Sequence, residues 1–201
     1  MPSTPAPPDP DAGEVTHLLA SLHAGDPVAL DRLLPLVYDE LRRAARRALA
    51  REGRGHTLHA TELVHEAFLR LAGSAAQGAA WRDRGHFHAT AARVMRHVLV
   101  EHARRRLTHK RGGGAAHVTL GDAQSALVVR DAELLALDEA LERLGAHEPR
   151  LRALVEYRFF GGLSERETAA VLGVGERTVQ RDWARARAWL HKELAADPHA
   201  S

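Results

Sequence analysis

The chain has 201 residues, 45% hydrophobic but only 4% aromatic, so packed Leu/Ala-rich helices suit it better than β-sheet. It contains no Cys, which excludes disulfide frameworks, thiolate catalysis and zinc–thiolate sites, and no run approaches the roughly 18 apolar residues of a membrane span. The net charge is only +2, yet residues 41–130 hold 17 Lys/Arg against 6 Asp/Glu while both flanks are acidic on balance, a segregation that points to a polyanionic partner.

Residues 1–13 are Pro-rich and acidic, unlike a secretory signal, and are expected to be disordered in a cytoplasmic protein. A first helix is expected from Glu14 to His23, with Val15, Leu18, Leu19 and Leu22 on one side. Asp26-Pro27 provides an N-cap and a first-turn proline for a second helix carrying Leu30, Leu33, Leu34, Val37, Leu41 and Leu49. Pro35 predicts a kink or break within it. After a Gly/Arg/His loop, Thr61–Ala72 reads as a helix that buries Leu63, Ala67, Phe68 and Leu71. Glu62, Glu66 and Arg70 share its outer face by four-residue steps.

Trp81 to His88 mixes aromatics with cations and leads into a long helix over Phe87–His109. Ala91, Val94, Met95, Val98 and Leu99 form its apolar side, and Arg93, Arg96, Arg104, Arg105 and Arg106 charge the rest. Rings interleaved with arginines suit a single strand, because rings stack on unpaired bases while cations track phosphates. Against this, both rings can anchor the long helix in the core: Phe87 fits the core better than a strand contact, while Trp81 fits either equally well. Gly112–Gly114 breaks the helix, and residues 112–130 read as a linker. A second helical block begins near Asp131 with a Leu134, Leu137, Leu141, Leu144 stripe, and Pro149 opens a further helix that ends before Gly161-Gly162.

The most informative stretch is Ser164–Leu190. Ser164 with Glu167 makes a capping box, and Gly173 supplies a left-handed turn. In the helix that follows, Val179, Trp183, Ala186 and Leu190 recur at helical spacing. Arg177, Arg181 and Arg185 lie on one face, flanked by Thr178 and Gln180. This is the helix-turn-helix pattern, whose second helix enters the major groove of DNA. The expected fold is therefore all-α: a helical unit over residues 14–111, a linker over 112–130, a helix-turn-helix unit over 131–194 and a short tail over 195–201.

In order along the chain, four motifs resemble the extracytoplasmic-function (ECF-like) sigma factors: LLPLVYDELRRAARRAL, TELVHEAFLRL, HFHATAARVMRHVLVEHARRR and SERETAAVLGVGERTVQRDWARARAWL. The resemblance implies a non-enzymatic factor that joins core RNA polymerase, recognises promoter DNA and helps open it, with an anti-sigma factor as a possible further partner and no cofactor. It implies polymerase docking through Glu62, Glu66 and Arg70. It places the downstream element and melted strand on Trp81, Arg84, His86, Arg96, Arg104, Arg105 and Arg106. The upstream element falls to Arg177, Thr178, Gln180, Arg181 and Arg185. Where that family commonly has Trp-Leu and Arg-Asn pairs, this chain reads His-Phe-His-Ala and Met-Arg-His.

Two rival classes are weighed against it. A stand-alone helix-turn-helix regulator would bind duplex DNA autonomously, without use for a strand-capturing segment. A metalloenzyme is suggested by 14 His, but His56/His59, His86/His88 and His97/His102 match no ligand motif, and His65-Glu66 lacks the second His of H-E-x-x-H.

Overall fold

The computed structural model describes residues 12–26, 28–52, 58–77, 81–112 and 122–196. Among these residues every regular element is helical: α1 (Ala12–His23), α2 (Val28–Glu52), α3 (Ala60–Ala76), α4 (Arg84–Gly112), α5 (Asp122–His147), α6 (Pro149–Val155), α7 (Glu165–Leu172) and α8 (Glu176–Ala196). A π-helical turn, Glu156–Phe160, prolongs α6. The expectations for residues 1–11, for His56 and for the heart of the linker, 113–121, lie outside the described residues.

The whole packs around α4. Helices α1, α2 and α3 lie against it in the N-terminal half, and α5, α7 and the π-helical turn lie against it from the C-terminal half. That position explains its sequence. Phe87, Ala89, Ala91, Ala92, Met95, Val98, Leu99, Val100 and Ala103 are all buried, so α4 is apolar on most sides rather than along one stripe. One hydrophobic cluster runs from Val15 in α1 to Leu190 in α8.

Local signals account for most helix ends. The Asp26 carboxylate accepts a hydrogen bond from the Val28 amide at 3.0 Å, opening α2. Asp83 does the same for α4: its carboxylate accepts from the His86 amide at 2.8 Å and its carbonyl from Phe87 at 3.0 Å, so the helix starts three residues before the expected Phe87. Pro35 does not break α2, which is continuous from Val28 to Glu52. Helix α3 runs four residues past the expected Ala72, through Gly73. Helix α5 starts at Asp122, nine residues before the expected Asp131, so part of the segment read as linker is helical.

The Gly161-Gly162 pair is demanded by close packing. A β-carbon at Gly161 would lie 2.8 Å from that of Ala92 and 2.7 Å from the Tyr157 carbonyl. Gly162 takes a left-handed φ of +66° and offers its carbonyl to Arg47 of α2 at 3.3 Å. These two residues fasten the end of α6 to both α2 and α4.

Candidate nucleic-acid interface

Helices α7 and α8 follow the sequence signals closely. Ser164 Oγ accepts from the Glu167 amide at 3.2 Å, and the Glu167 carboxylate accepts from the Ser164 amide at 2.7 Å. Gly173 is left-handed at φ 66°, ψ 33°, and Val174 N–H returns to the Ala169 carbonyl at 3.0 Å. Ala169, Val179 and Leu154 meet in a small apolar cluster that fixes α8 against α6 and α7. Ala186 and Leu190 bury the next turns, and Trp183 lies half-buried under the Arg158 guanidinium, 4.6 Å from its ring centre.

The opposite face of α8 meets water. Arg177, Gln180, Arg181 and Arg185 are exposed and Thr178 is half-buried. Gln180 donates to Glu165 at 2.8 Å and Arg185 to Glu148 at 2.9 Å, contacts on a wet surface that cost little to exchange. One residue that the sequence reading passed over is Asp182. It is only 1% exposed, sits 2.8 Å from Arg150, and lies within 3.8 Å of both Arg181 and Arg185. An acid inside an arginine-rich helix was the available signal.

On α3, the three residues read as one outer face do different jobs. Glu62 accepts from the His59 amide at 2.8 Å and so caps its own helix. Arg70 forks onto Glu101 of α4 at 2.9 and 2.8 Å and onto Glu66 at 2.7 Å. The Glu101 hydrogen bond raises the Arg70 pKa against the opposing effect of burial, and the same bond lowers that of Glu101. Beside them Leu69 is 57% exposed, a large apolar side chain that the four-residue spacing gave no reason to single out.

Two expected strand-contacting residues are corrected in their placement. Trp81 is 5% exposed and packs edge-on against Phe87, ring centres 5.5 Å apart, so it anchors the start of α4 rather than offering a stacking surface. Arg96 is 1% exposed. Its guanidinium lies 2.8 Å from Asp138, donates to Glu156 at 2.8 Å and also pairs with Glu142. Burial of a charge is tolerable only with such partners. Of the others, Arg104 and Arg105 are exposed, Arg106 pairs with Asp131, and His86 is half-buried, its pKa lowered by burial and by the Arg82 charge.

Arg84 donates to Glu40 of α2 at 2.6 Å, and His88 Nε2 stands 2.6 Å from the other oxygen. Burial alone would raise the Glu40 pKa, but the bonds and charges of His88 and Arg84 outweigh it and bring it to about 2. A folded-state value below the ordinary 4.5 means that Glu40 stabilises the fold fully above that value and progressively less as pH falls toward 2. Glu40→Gln should therefore be clearly less stable than wild type at pH 7, with the gap closing near pH 2.5. Urea unfolding at the two pH values measures this, and a gap of constant size would refute it.

Among the described residues no group of three or more His, Asp or Glu is placed to hold a metal ion, and no helix is long and apolar enough to cross a membrane. A chain whose described residues are all helical, and whose capped helix pair presents a water-facing arginine row, falls in the class of DNA-binding transcription proteins. Comparison narrows the class: the family model described as ECF sigma factor matches residues 12–196. The chain belongs to the ECF sigma factor family, and its role is that of a sigma factor in transcription initiation. No curated protein matches it.

Proposed function

We propose that this chain binds core RNA polymerase in the cytoplasm, directs it to a promoter and helps to open the duplex. Residues 14–111 would act at the polymerase and the downstream element, and residues 131–194 at the upstream element. The observation that carries the reading is the water-facing row of Arg177, Gln180, Arg181 and Arg185 on a helix whose other face is locked into the core. With Thr178, these residues would read the upstream element, since an arginine fork pairs bidentately with guanine in the major groove. Arg84, His86, Arg104, Arg105 and Arg106 would follow the downstream element and the melted strand. None of this makes or breaks a covalent bond, so no enzymatic activity is assigned.

Polymerase docking falls to the outer face of α3, where Leu69 stands exposed among Glu62, Glu66 and Arg70. On this reading Leu69 makes the apolar part of the contact and the three charged residues its rim. Leu69→Ser should weaken capture of the chain by core polymerase by about tenfold, roughly the 1.4 kcal/mol of a modest anchor, and leave thermal stability unchanged. Equal capture of both proteins would remove Leu69 from the contact. The overall test is in vitro transcription with bacterial core polymerase on a promoter library, where selected start sites are expected. Tight duplex binding without polymerase, with no start-site selection, would instead identify a stand-alone regulator.

A further inference from the structure

We propose that the cavity between α2, the start of α4 and the loop ahead of α7 is a binding site for the phosphoryl groups of a small molecule. It shares Arg84 alone with the residues assigned to promoter or polymerase. The cavity measures about 330 Å³, inside the roughly 300–1,000 Å³ of small-ligand pockets. Gly85, Gly161 and Gly162 form part of its wall, so these positions put no side chain into the space.

The charge around the cavity is unbalanced. Arg43 and Arg47 line it from α2, four residues apart, and both are exposed. Like charges at this spacing weaken a helix, and a shared counter-ion relieves the repulsion. The acids of the wall are already engaged. Glu40, three residues before Arg43, accepts from Arg84 at 2.6 Å and stands 2.6 Å from His88 Nε2. The Glu167 carboxylate caps α7, accepting from the Ser164 amide at 2.7 Å and from its hydroxyl at 2.6 Å. Among the described residues neither Arg43 nor Arg47 is paired with a carboxylate, and Arg47 donates to the neutral Gly162 carbonyl at 3.3 Å.

Two guanidinium groups without acid partners therefore border a space edged by glycine backbone. A guanidinium fork fits phosphate oxygens in pairs, and a phosphoryl group has oxygens enough to meet two forks. A molecule with two linked phosphoryl groups can engage both arginines at once and neutralise the pair.

Titration calorimetry of the full chain with inorganic pyrophosphate tests the site. Saturable binding of a single equivalent is expected, with a raised melting temperature, because a ligand that binds the folded chain alone stabilises it. Arg43→Gln with Arg47→Gln should still fold, since both side chains are exposed, but should bind about tenfold more weakly, the least expected from losing charged hydrogen bonds. Arg46→Gln with Arg187→Gln removes the same charge from exposed positions outside the cavity and should keep wild-type affinity. No saturable binding, or equal losses in the two double variants, overturns the site. A short single-stranded oligonucleotide separates the two sources of phosphate. Pyrophosphate that stays bound in its presence supports a small-molecule site. Displacement that is lost in the Arg43, Arg47 variant would mean that the cavity takes nucleic-acid backbone, and the proposal fails.

Discussion

Glu156→Ala is expected to lower the stability of the folded chain by about 3 kcal/mol, the low end of the cost of breaking a buried ion pair from one side. The carboxylate is buried and serves three guanidinium groups: Arg96 at 2.8 Å, Arg152 at 3.0 Å and Arg93 at 3.1 Å. Arg93 and Arg152 reach solvent and can recover water, but Arg96 cannot. Removing Glu156 leaves a sealed cation with Asp138 and the half-exposed Glu142. Urea unfolding at neutral pH, followed by circular dichroism, reads the loss directly. Arg96→Met combined with Glu156→Leu should recover most of it, since removing both charges also removes their desolvation penalty. A single variant within about 0.5 kcal/mol of wild type, the range of an ordinary surface change, would show that water reaches Arg96.

Arg181→Ala should change which promoters are used without changing how much polymerase is bound. Arg181 is exposed and its nearest acid, Asp182, is 3.7 Å away, so its loss leaves the packing of α8 untouched. A bidentate arginine–guanine contact is worth about 1–3 kcal/mol of discrimination. At about 1.4 kcal/mol per factor of ten, that is a loss of roughly five- to 150-fold in preference at one base of the upstream element. Transcription from templates varied one base at a time would show the flattened position. Uniform loss over all templates would make Arg181 a phosphate contact, and no change would take it off the interface.

The helix pair at the C-terminal end was legible in the sequence because its determinants are local. The Ser164–Glu167 box, the Gly173 turn and the Val179 plug each act within a few residues, and each appears where the spacing placed it. The docking of the halves was not legible for the opposite reason. Arg96 meets Glu142 and Glu156 across 46 and 60 residues of chain, and an arginine on a helix reads as solvent-facing until its distant partners are known. Trp81 carried both readings in the sequence, and only the neighbouring Phe87 ring decides for the core. Leu69 was missed because one exposed leucine in a Leu-rich helix leaves no periodic trace. The early start of α5 was hidden by the glycine run at 112–114, which marks a break in the chain without saying where order resumes.

The π-helical turn at Glu156–Phe160 has a consequence for tolerance of length change. Each π-type turn holds one residue more than its α counterpart, so side chains beyond it are rotated by about a hundred degrees relative to an unbroken helix. Leu151 and Leu154 ahead of it and Tyr157 and Phe160 within it are all buried. Excising one residue here would relax the backbone into an ordinary spiral, yet it would swing Gly161 out of its seat beside Ala92 and turn the whole arginine-bearing pair away from its present bearing. Single-residue deletions at this turn should consequently harm the protein far more than deletions of equal size near Ala195.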